Sequence, residues 1–325
     1  MHDKFMATHK RAETLMDSVC EDMQEKPEPY FSFGIIADIQ YADIDNGYNF
    51  MKTRMRYYRN SLTLLKEAVQ EWDTESIKPK FILQLGDIID GFNVPQKTSD
   101  TSLARILAEM EKLKIPFHHI WGNHEFYNFK RKYLMESKLN SKPLEDEIGQ
   151  LTINEDTSET RSDQESFYGY HFSPYPGFRF LLIDCYDLSV IGRDTMSIKY
   201  GISLKLLKEK NPNEDLNSPR GHLPIHLDST DAICLAWNYK EILSALQSHP
   251  GVIGYFAGHD HDGGYSVDAS GIHHITFKGV IETPPENQAF GTMYMYEDKM
   301  VLKGRGLVLS RSLHYRNGGK EEHVH

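Results

Sequence analysis

Four short motifs carry side chains able to do chemistry, and each one ends an apolar run. Asp38-Ile39-Gln40 follows Tyr30 to Ala37, and Gly86-Asp87 follows Phe81 to Leu85. Gly122-Asn123-His124-Glu125 follows Pro116 to Trp121, and Gly258-His259-Asp260-His261 follows Val252 to Ala257. Ligands of open α/β sheets bind beyond the carboxyl ends of the strands, so four such ends predict one convergent polar site. The donors are the carboxylates Asp38 and Asp87, the amide oxygens of Gln40 and Asn123, and the imidazoles of His259 and His261. His222 or His226 could add a further imidazole. Alternation along an extended segment points His259 and His261 the same way. A mixed oxygen and nitrogen set without thiolate suits Mn²⁺, Fe²⁺, Mg²⁺ or Zn²⁺. There are too many donors for one tetrahedral zinc and enough for two ions. Two metals about 3.5–4 Å apart clamp the attacking and leaving oxygens of an in-line displacement at phosphorus. Asp87 is the natural bridging carboxylate.

The elements that must position these motifs follow from periodicity. Met55, Tyr58, Leu62, Leu65, Val69 and Trp72 recur at spacings of three and four, which predicts one apolar helix face. Leu103, Ile106, Leu107, Met110 and Leu113 predict a second helix before the strand Ile115 to Ile120. A βαβαβ run of this kind implies parallel strands with helices outside. Phe178 to Ile183 reads as another strand, and residues 230–248 read as helical. Ile272 to Phe277, Thr292 to Tyr296 and Met300 to Lys303 are short strands, the last two joined by a tight turn that implies antiparallel pairing. The fold class is therefore α/β, with a mixed sheet or two stacked sheets flanked by helices. Residues 1–29 read as a polar arm, 30–309 as a single domain and 310–325 as a polar tail; 126–165 read as a polar insertion over the site.

Composition narrows the class. The chain has 325 residues, 39% of them hydrophobic, which suffices for a sizeable core. No run approaches the roughly 18 apolar residues of a membrane span, and the N-terminus lacks a signal-peptide core. Cys20, Cys185 and Cys234 are odd in number and far apart, which argues against a disulfide framework and for a reducing, cytoplasmic setting. The formal net charge of -11 speaks against nucleic acid as a partner. It also means that a phosphorylated substrate needs cations beside it. The expected partners are small molecules, and the expected state is a monomer.

In order, Asp38-Ile39-Gln40, Gly86-Asp87, Gly122-Asn123-His124-Glu125, His222 and Gly258-His259-Asp260-His261 resemble the motifs of the calcineurin-like metallophosphoesterase superfamily over residues 33–261. Gln40 stands where that family has histidine, and an amide oxygen is a harder ligand than imidazole. Gln40, Cys234 to Tyr239, Gly258 to Tyr265, Gly279 to Thr283 and Lys303 to Gly306 together look like its manganese-dependent ADP-ribose/CDP-alcohol diphosphatase branch. The resemblance implies an α/β/β/α sandwich with a dinuclear site at the strand ends. It implies Asp38, Gln40, Asp87 and His261 on one ion, and Asp87, Asn123, His222 and His259 on the other. Mn²⁺ is preferred, with Mg²⁺ or Zn²⁺ as alternatives. It implies attack of a metal-bridging hydroxide on ADP-ribose, CDP-choline, CDP-ethanolamine or CDP-glycerol, giving AMP or CMP and a phosphorylated product. His124 is then the catalytic partner of the reacting groups rather than a ligand. Tyr48 and Phe50 are candidates for base stacking, Cys234 for the pocket wall and Arg193 for a phosphate contact. The family order also implies a strand–helix–strand stretch before Gly221 that this chain lacks, where only a polar loop stands. Two other readings follow: a nucleotide-binding paralogue or shortened isoform with an impaired site, and a cyclic-nucleotide or phosphomonoester hydrolase.

Overall fold

The computed structural model describes residues 27–49, 51–144, 167–210 and 222–315. β1 (Phe31–Ile36) opens the first sheet, and a two-residue hairpin follows from β2 (Gly47–Tyr48) and β3 (Met55–Arg56). The helix Asn60–Thr74 leads to β4 (Ile82–Gln84), and the helix Ser99–Met110 leads to β5 (Phe117–His119). β1, β4 and β5 are parallel, as a βαβαβ run demands. After β6 (Gly169–Tyr175) and β7 (Phe178–Ile183) come the helices Ile198–Lys210 and Tyr239–Gln247. β8 (Gly254–Ala257), β9 (Gly264–Val267) and β10 (His273–Thr276) precede the antiparallel end formed by β11 (Ala289–Met295), β12 (Lys299–Gly306) and β13 (Arg311–His314).

The first sheet has the order β13-β12-β11-β1-β4-β5. Strand alternation sends Phe31, Phe33 and Ile35 to one face of β1. There Phe33 meets Phe180 at 5.1 Å and Phe256 at 6.2 Å between ring centroids, and Phe81 meets Phe172 at 4.9 Å. The other face is covered by Trp72, which packs edge-on to Phe290 at 5.3 Å. On the far side, Tyr239, Ile242, Leu243 and Leu246 pack against Leu223, Ile225 and Ala236. Helix, sheet, sheet and helix therefore stack in that order, which is the α/β/β/α sandwich expected from the sequence. The interlocked aromatic rings dominate its core, and each such pair adds about 0.5–1.5 kcal/mol beyond its buried area.

Among the described residues the second layer falls into two parts: β6 pairs with β7 alone, and β8 pairs with β10 alone, which also carries β9. Between the facing edges of β7 and β8 lies a cavity of about 340 Å³ whose walls include Phe33, Phe180, Leu182, Phe256 and Met300, with His222 at one end.

Three elements differ from the sequence reading. The helix begins at Asn60, not Met55. Met55 instead sits in β3, and Tyr58 turns its ring into a small cluster with Ala42 and Ile281. Its buried face is Ser61, Leu64, Leu65, Ala68, Val69 and Trp72. Within 230–248, a short 3₁₀ turn at Ala232–Cys234 precedes a helix that begins only at Tyr239. There the Asp231 side chain caps the Ile233 amide, so the chain turns locally instead of entering one long helix. Residues 311–314 of the polar tail form β13, anchored by the buried Leu313. One leucine among polar neighbours leaves no period to read. Of the segment 126–165, residues 126–144 are described, and there Phe126, Phe129, Leu134 and Leu139 are buried in the main core. The structure of residues 1–26, 145–166, 211–221 and 316–325 lies outside this description, and with it most of the N-terminal arm and the segment before His222.

Candidate metal centre

The backbone turns sharply at three of the four strand ends and at His222. Asp38 (φ 50°), Gln40 (φ 43°), Asp87 (φ 55°), His222 (φ 52°) and His259 (φ 72°) all lie in the left-handed region. For non-glycine residues this costs about 1–3 kcal/mol each, and it persists only where the surroundings over-determine it. Here they do. The Asp38 amide donates to the Gly86 carbonyl at 3.2 Å and the Gln40 amide to the Asp87 carbonyl at 2.9 Å. Glu125 accepts the amides of Asp87 (2.8 Å), Ile88 (2.6 Å) and Gly122 (2.6 Å), pinning one strand end against another. Burial and the Asp87 charge push Glu125 up to about 7, against these three N–H bonds, which favour its anion.

Glycine before the ligand residues is a matter of space. A Cβ on Gly122 would lie 2.2 Å from Asp87 Oδ1, and one on Gly258 would lie 2.6 Å from Asp38 Oδ2. The carboxylates press directly on these backbones. His124 N–H donates to Asp87 Oδ1 at 2.8 Å, and His259 N–H donates to the Asp38 carboxylate at 3.1 Å.

The expected ligands meet in two groups joined by Asp87. His261 Nε2 is 3.4 Å from Asp38 Oδ1 and 3.0 Å from the Gln40 amide, which itself is 3.2 Å from Asp87 Oδ2. On the other side, His222 Nε2 is 3.3 Å from Asp87 Oδ2. Donor atoms of Asp87, His222 and His259 all lie within 4.8 Å of one another. Asn123 is buried in the first turn of the helix Asn123–Asn128, between Gly122 and His124, whose amide donates to Asp87.

This donor set fits divalent cations. Gln40 Oε1, Asn123 Oδ1 and His222 Nε2 are buried and have no hydrogen-bond partner. Buried polar atoms are ordinarily paired, and these three are the atoms that would ligate. The charge pattern agrees. Burial opposes a charge on Asp87, yet the imidazoles of His222 and His124 hold its carboxyl well below the ordinary range. Burial alone would pull His222 and His261 down. The carboxylates of Asp87 and Asp38 lift His222 to about 9, and those of Asp38 and Glu282 lift His261 to about 10. His259 is pushed down to about 3 by burial and by His222, which leaves it neutral and able to ligate.

Each ligand imidazole needs its second nitrogen fixed. His222 Nδ1 is 2.7 Å from the Leu85 carbonyl, so this ring is held although the segment before it is polar. His261 Nδ1 is 3.0 Å from Glu282 Oε1. His124 is held differently. Its Nδ1 accepts the Gly91 amide at 2.8 Å and lies 3.4 Å from Asp90 Oδ2, while Nε2 faces the site 3.9 Å from Asp87 Oδ2. An acceptor at Nδ1 puts the proton of the neutral ring on Nε2. Asp90, Glu282 and Arg56 were not singled out from sequence. Asp90 stands three residues past Asp87, one turn of chain later, and that spacing is the signal that could have found it. Glu125 serves the Asp87 strand end.

The substrate-contact candidates lie apart from one another. Tyr48 is 62% exposed on β2, and Phe50 falls outside the described residues. Cys234 is half-buried at the end of its 3₁₀ turn. Arg193 is buried, and its guanidinium donates to the Asp187 carbonyl and carboxylate. His226 turns away from the ligand cluster, 2.9 Å from Ser266 Oγ and stacked on His274.

Known proteins resemble this chain over most of its length. The calcineurin-like phosphoesterase family matches residues 31–263. A manganese-dependent ADP-ribose/CDP-alcohol diphosphatase of Xenopus laevis is 61% identical, covering 89% of this chain and 92% of the relative. One of Homo sapiens with the same name is 46% identical, covering 91% of this chain and 96% of the relative. The Xenopus laevis alignment runs to 329 positions yet takes in 89% of the 325 residues here, so it passes over residues that this chain lacks. The crystal structure of a dimetal phosphatase from Danio rerio superposes with a TM-score of 0.79 at 44% identity, covering 89% of this chain and all of that one.

Proposed function

Because the chain belongs to the calcineurin-like phosphoesterase family, we propose that it is a manganese-dependent hydrolase of the diphosphate bond in ADP-ribose and CDP-alcohols. The relatives with that named activity span its length at 46–61% identity. The observation that carries the reading is the gathering of Gln40, His222 and His259 about the buried Asp87 carboxylate, with Gln40 Oε1, Asn123 Oδ1 and His222 Nε2 buried and without a hydrogen-bond partner. Asp38, Gln40, Asp87 and His261 would hold one divalent ion, and Asp87, Asn123, His222 and His259 the second. When bound, the ions supply an activated water and offset the charge of the diphosphate.

The remaining chemistry belongs to the chain's own groups. Oxygen from water bonds to one phosphorus as the P–O bond of the anhydride breaks. His124, neutral with its proton on Nε2 as the Gly91 amide at Nδ1 requires, donates a hydrogen bond to the charge that develops on the leaving phosphate oxygen, and the proton lost by the attacking water passes to solvent. Removing one such donor costs about 10²–10³-fold. ADP-ribose then gives AMP and ribose 5-phosphate, and CDP-choline gives CMP and phosphocholine. Tyr48, on the hairpin beside the first ligand motif, offers an exposed ring for the base. A cytoplasmic monomer is the setting we propose. No helix among the described residues is long and apolar enough to cross a membrane, and Cys185 and Cys234 are free thiols.

The split second layer favours one competing reading, a chain that binds nucleotides and has lost turnover. Product analysis separates the two. Purified chain with Mn²⁺ should convert ADP-ribose to AMP and CDP-choline to CMP, and chelation should stop both. Thermal stabilisation by these nucleotides without any product would overturn the enzyme reading.

A further inference from the structure

We propose that Arg56 is a positioning residue that holds, with one guanidinium, the carboxylate that orients His261 and the carboxylate that lies beside the His124 ring. The proposal rests on the two-metal phosphoesterase reading above. Arg56 lies on β3 and is mostly buried, with 20% of its side chain exposed. Its Nε is 3.3 Å from Glu282 Oε1, the same oxygen that lies 3.0 Å from His261 Nδ1. Its Nη1 is 3.7 Å from Asp90 Oδ2, the same oxygen that lies 3.4 Å from His124 Nδ1. One fork thus reaches a candidate ligand imidazole through Glu282 and the Asp90 carboxylate beside the His124 ring.

Both carboxylates depend on it. Asp90 Oδ2 is buried with no hydrogen-bond partner, while Asp90 Oδ1 takes the Phe92 amide. A buried carboxylate oxygen in that state is held by charge, and Arg56 supplies the permanent cation beside it. Glu282 is also buried and divides one oxygen between His261 and Arg56. Two groups in different directions call for the rigid guanidinium fork; an ammonium is a single point charge and cannot reach both in one geometry.

The position of Arg56 in the chain adds a third link. In the β2–β3 hairpin, Gly47 pairs with Arg56 and Tyr48 with Met55. The guanidinium therefore also ties the strand bearing the exposed Tyr48 ring to the metal centre. Arg54, two residues earlier, strengthens the same connection through an ion pair of 2.5 Å to Asp262, the residue after His261.

Arg56→Gln and Arg56→Lys test this. Mn²⁺ binding is titrated with the metal alone, and steady-state rates are taken at saturating Mn²⁺, with thermal unfolding recorded for each variant. Loss of an outer partner of a metal ligand costs about 10–100-fold in affinity or activity. Arg56→Gln is expected to weaken Mn²⁺ binding by that factor and to lower kcat more than it changes KM. Arg56→Lys is expected to recover thermal stability but not kcat, because the charge returns without the fork. Wild-type Mn²⁺ affinity and kcat in either folded variant would overturn the proposal. So would lost stability with unchanged kcat per metal-loaded molecule, which marks a structural role only. Metal affinity is read without substrate, so weakened Mn²⁺ binding in a chain that never turns over ADP-ribose would refute the diphosphatase reading and leave the role of Arg56 in place.

Discussion

Gly122→Ala isolates the packing of one carboxylate. Gly122 has φ −102° and ψ −172°, extended backbone that alanine adopts without strain. Alanine adds only a methyl group, which would sit 2.2 Å from Asp87 Oδ1, 2.8 Å from Asp87 Cγ and 2.9 Å from its amide nitrogen. Ordinary contact begins at 3.4 Å, so the carboxylate or its strand end must shift by about 1 Å. Glu125 resists a shift of the backbone, since it binds the amides of Asp87 and Gly122 with one oxygen. The side chain must yield. Metal ligand distances tolerate about 0.2 Å, and Asp87 is the residue proposed to serve both ions. A 1 Å misplacement at a reacting centre costs about 10²-fold. Gly122→Ala should therefore lose about 10²-fold in turnover and hold fewer than two Mn²⁺ per chain. Overpacking should cost no more than about 1–3 kcal/mol of stability. Elemental analysis after gel filtration, with initial rates on ADP-ribose, measures both losses. A variant that keeps two ions and the parent rate would refute the claim that Asp87 is pinned against the Gly122 backbone at the heart of the site.

His124→Ala should lower kcat by about 10²–10³-fold while Mn²⁺ content stays at the parent value, because His124 donates a hydrogen bond to the leaving oxygen and holds no ion; a parallel loss of metal would count against that role. Titration gives a second test. In the metal-free chain His222 and His261 rise from the ordinary 6.5 to about 9 and about 10. Groups raised on folding contribute stability that is complete below pH 6.5 and lost as pH climbs through the folded values. Metal-free protein should accordingly weaken from neutral pH to about pH 10. Mn²⁺ binding at pH 7 should expel these protons, which calorimetry in buffers of different ionisation enthalpy will count. Binding with no proton release would contradict the assignment.

Much of the site was legible because ligand types and strand ends are local signals. Asp38, Asp87, Asn123 and His259 each follow an apolar run directly, and the structure brings them together. What escaped was set by tertiary contacts. Arg56 meets Glu282 across 226 residues of sequence, and no spacing announces such a pair. Asp90 looks like a turn residue until His124 is placed beside it. The periodicity predicts a helix start at Met55, five residues before the observed one at Asn60, because Met55 and Tyr58 match the helical period, although β-pairing and the Ala42–Ile281 cluster claim them. The polar stretch before His222 suggested a loosely held ring; a single bond to the Leu85 carbonyl, made by a residue 137 positions away, fixes it. The strand–helix–strand stretch expected before Gly221 concerns residues 211–221, which lie outside the described residues.

Electron paramagnetic resonance of the Mn²⁺-loaded chain tests the dinuclear site most directly. Ions sharing the Asp87 carboxylate lie within about 4 Å of each other and must show an exchange-coupled spectrum, at two Mn²⁺ per chain. A spectrum of one isolated ion per chain, unchanged by further Mn²⁺, would contradict the two-metal site.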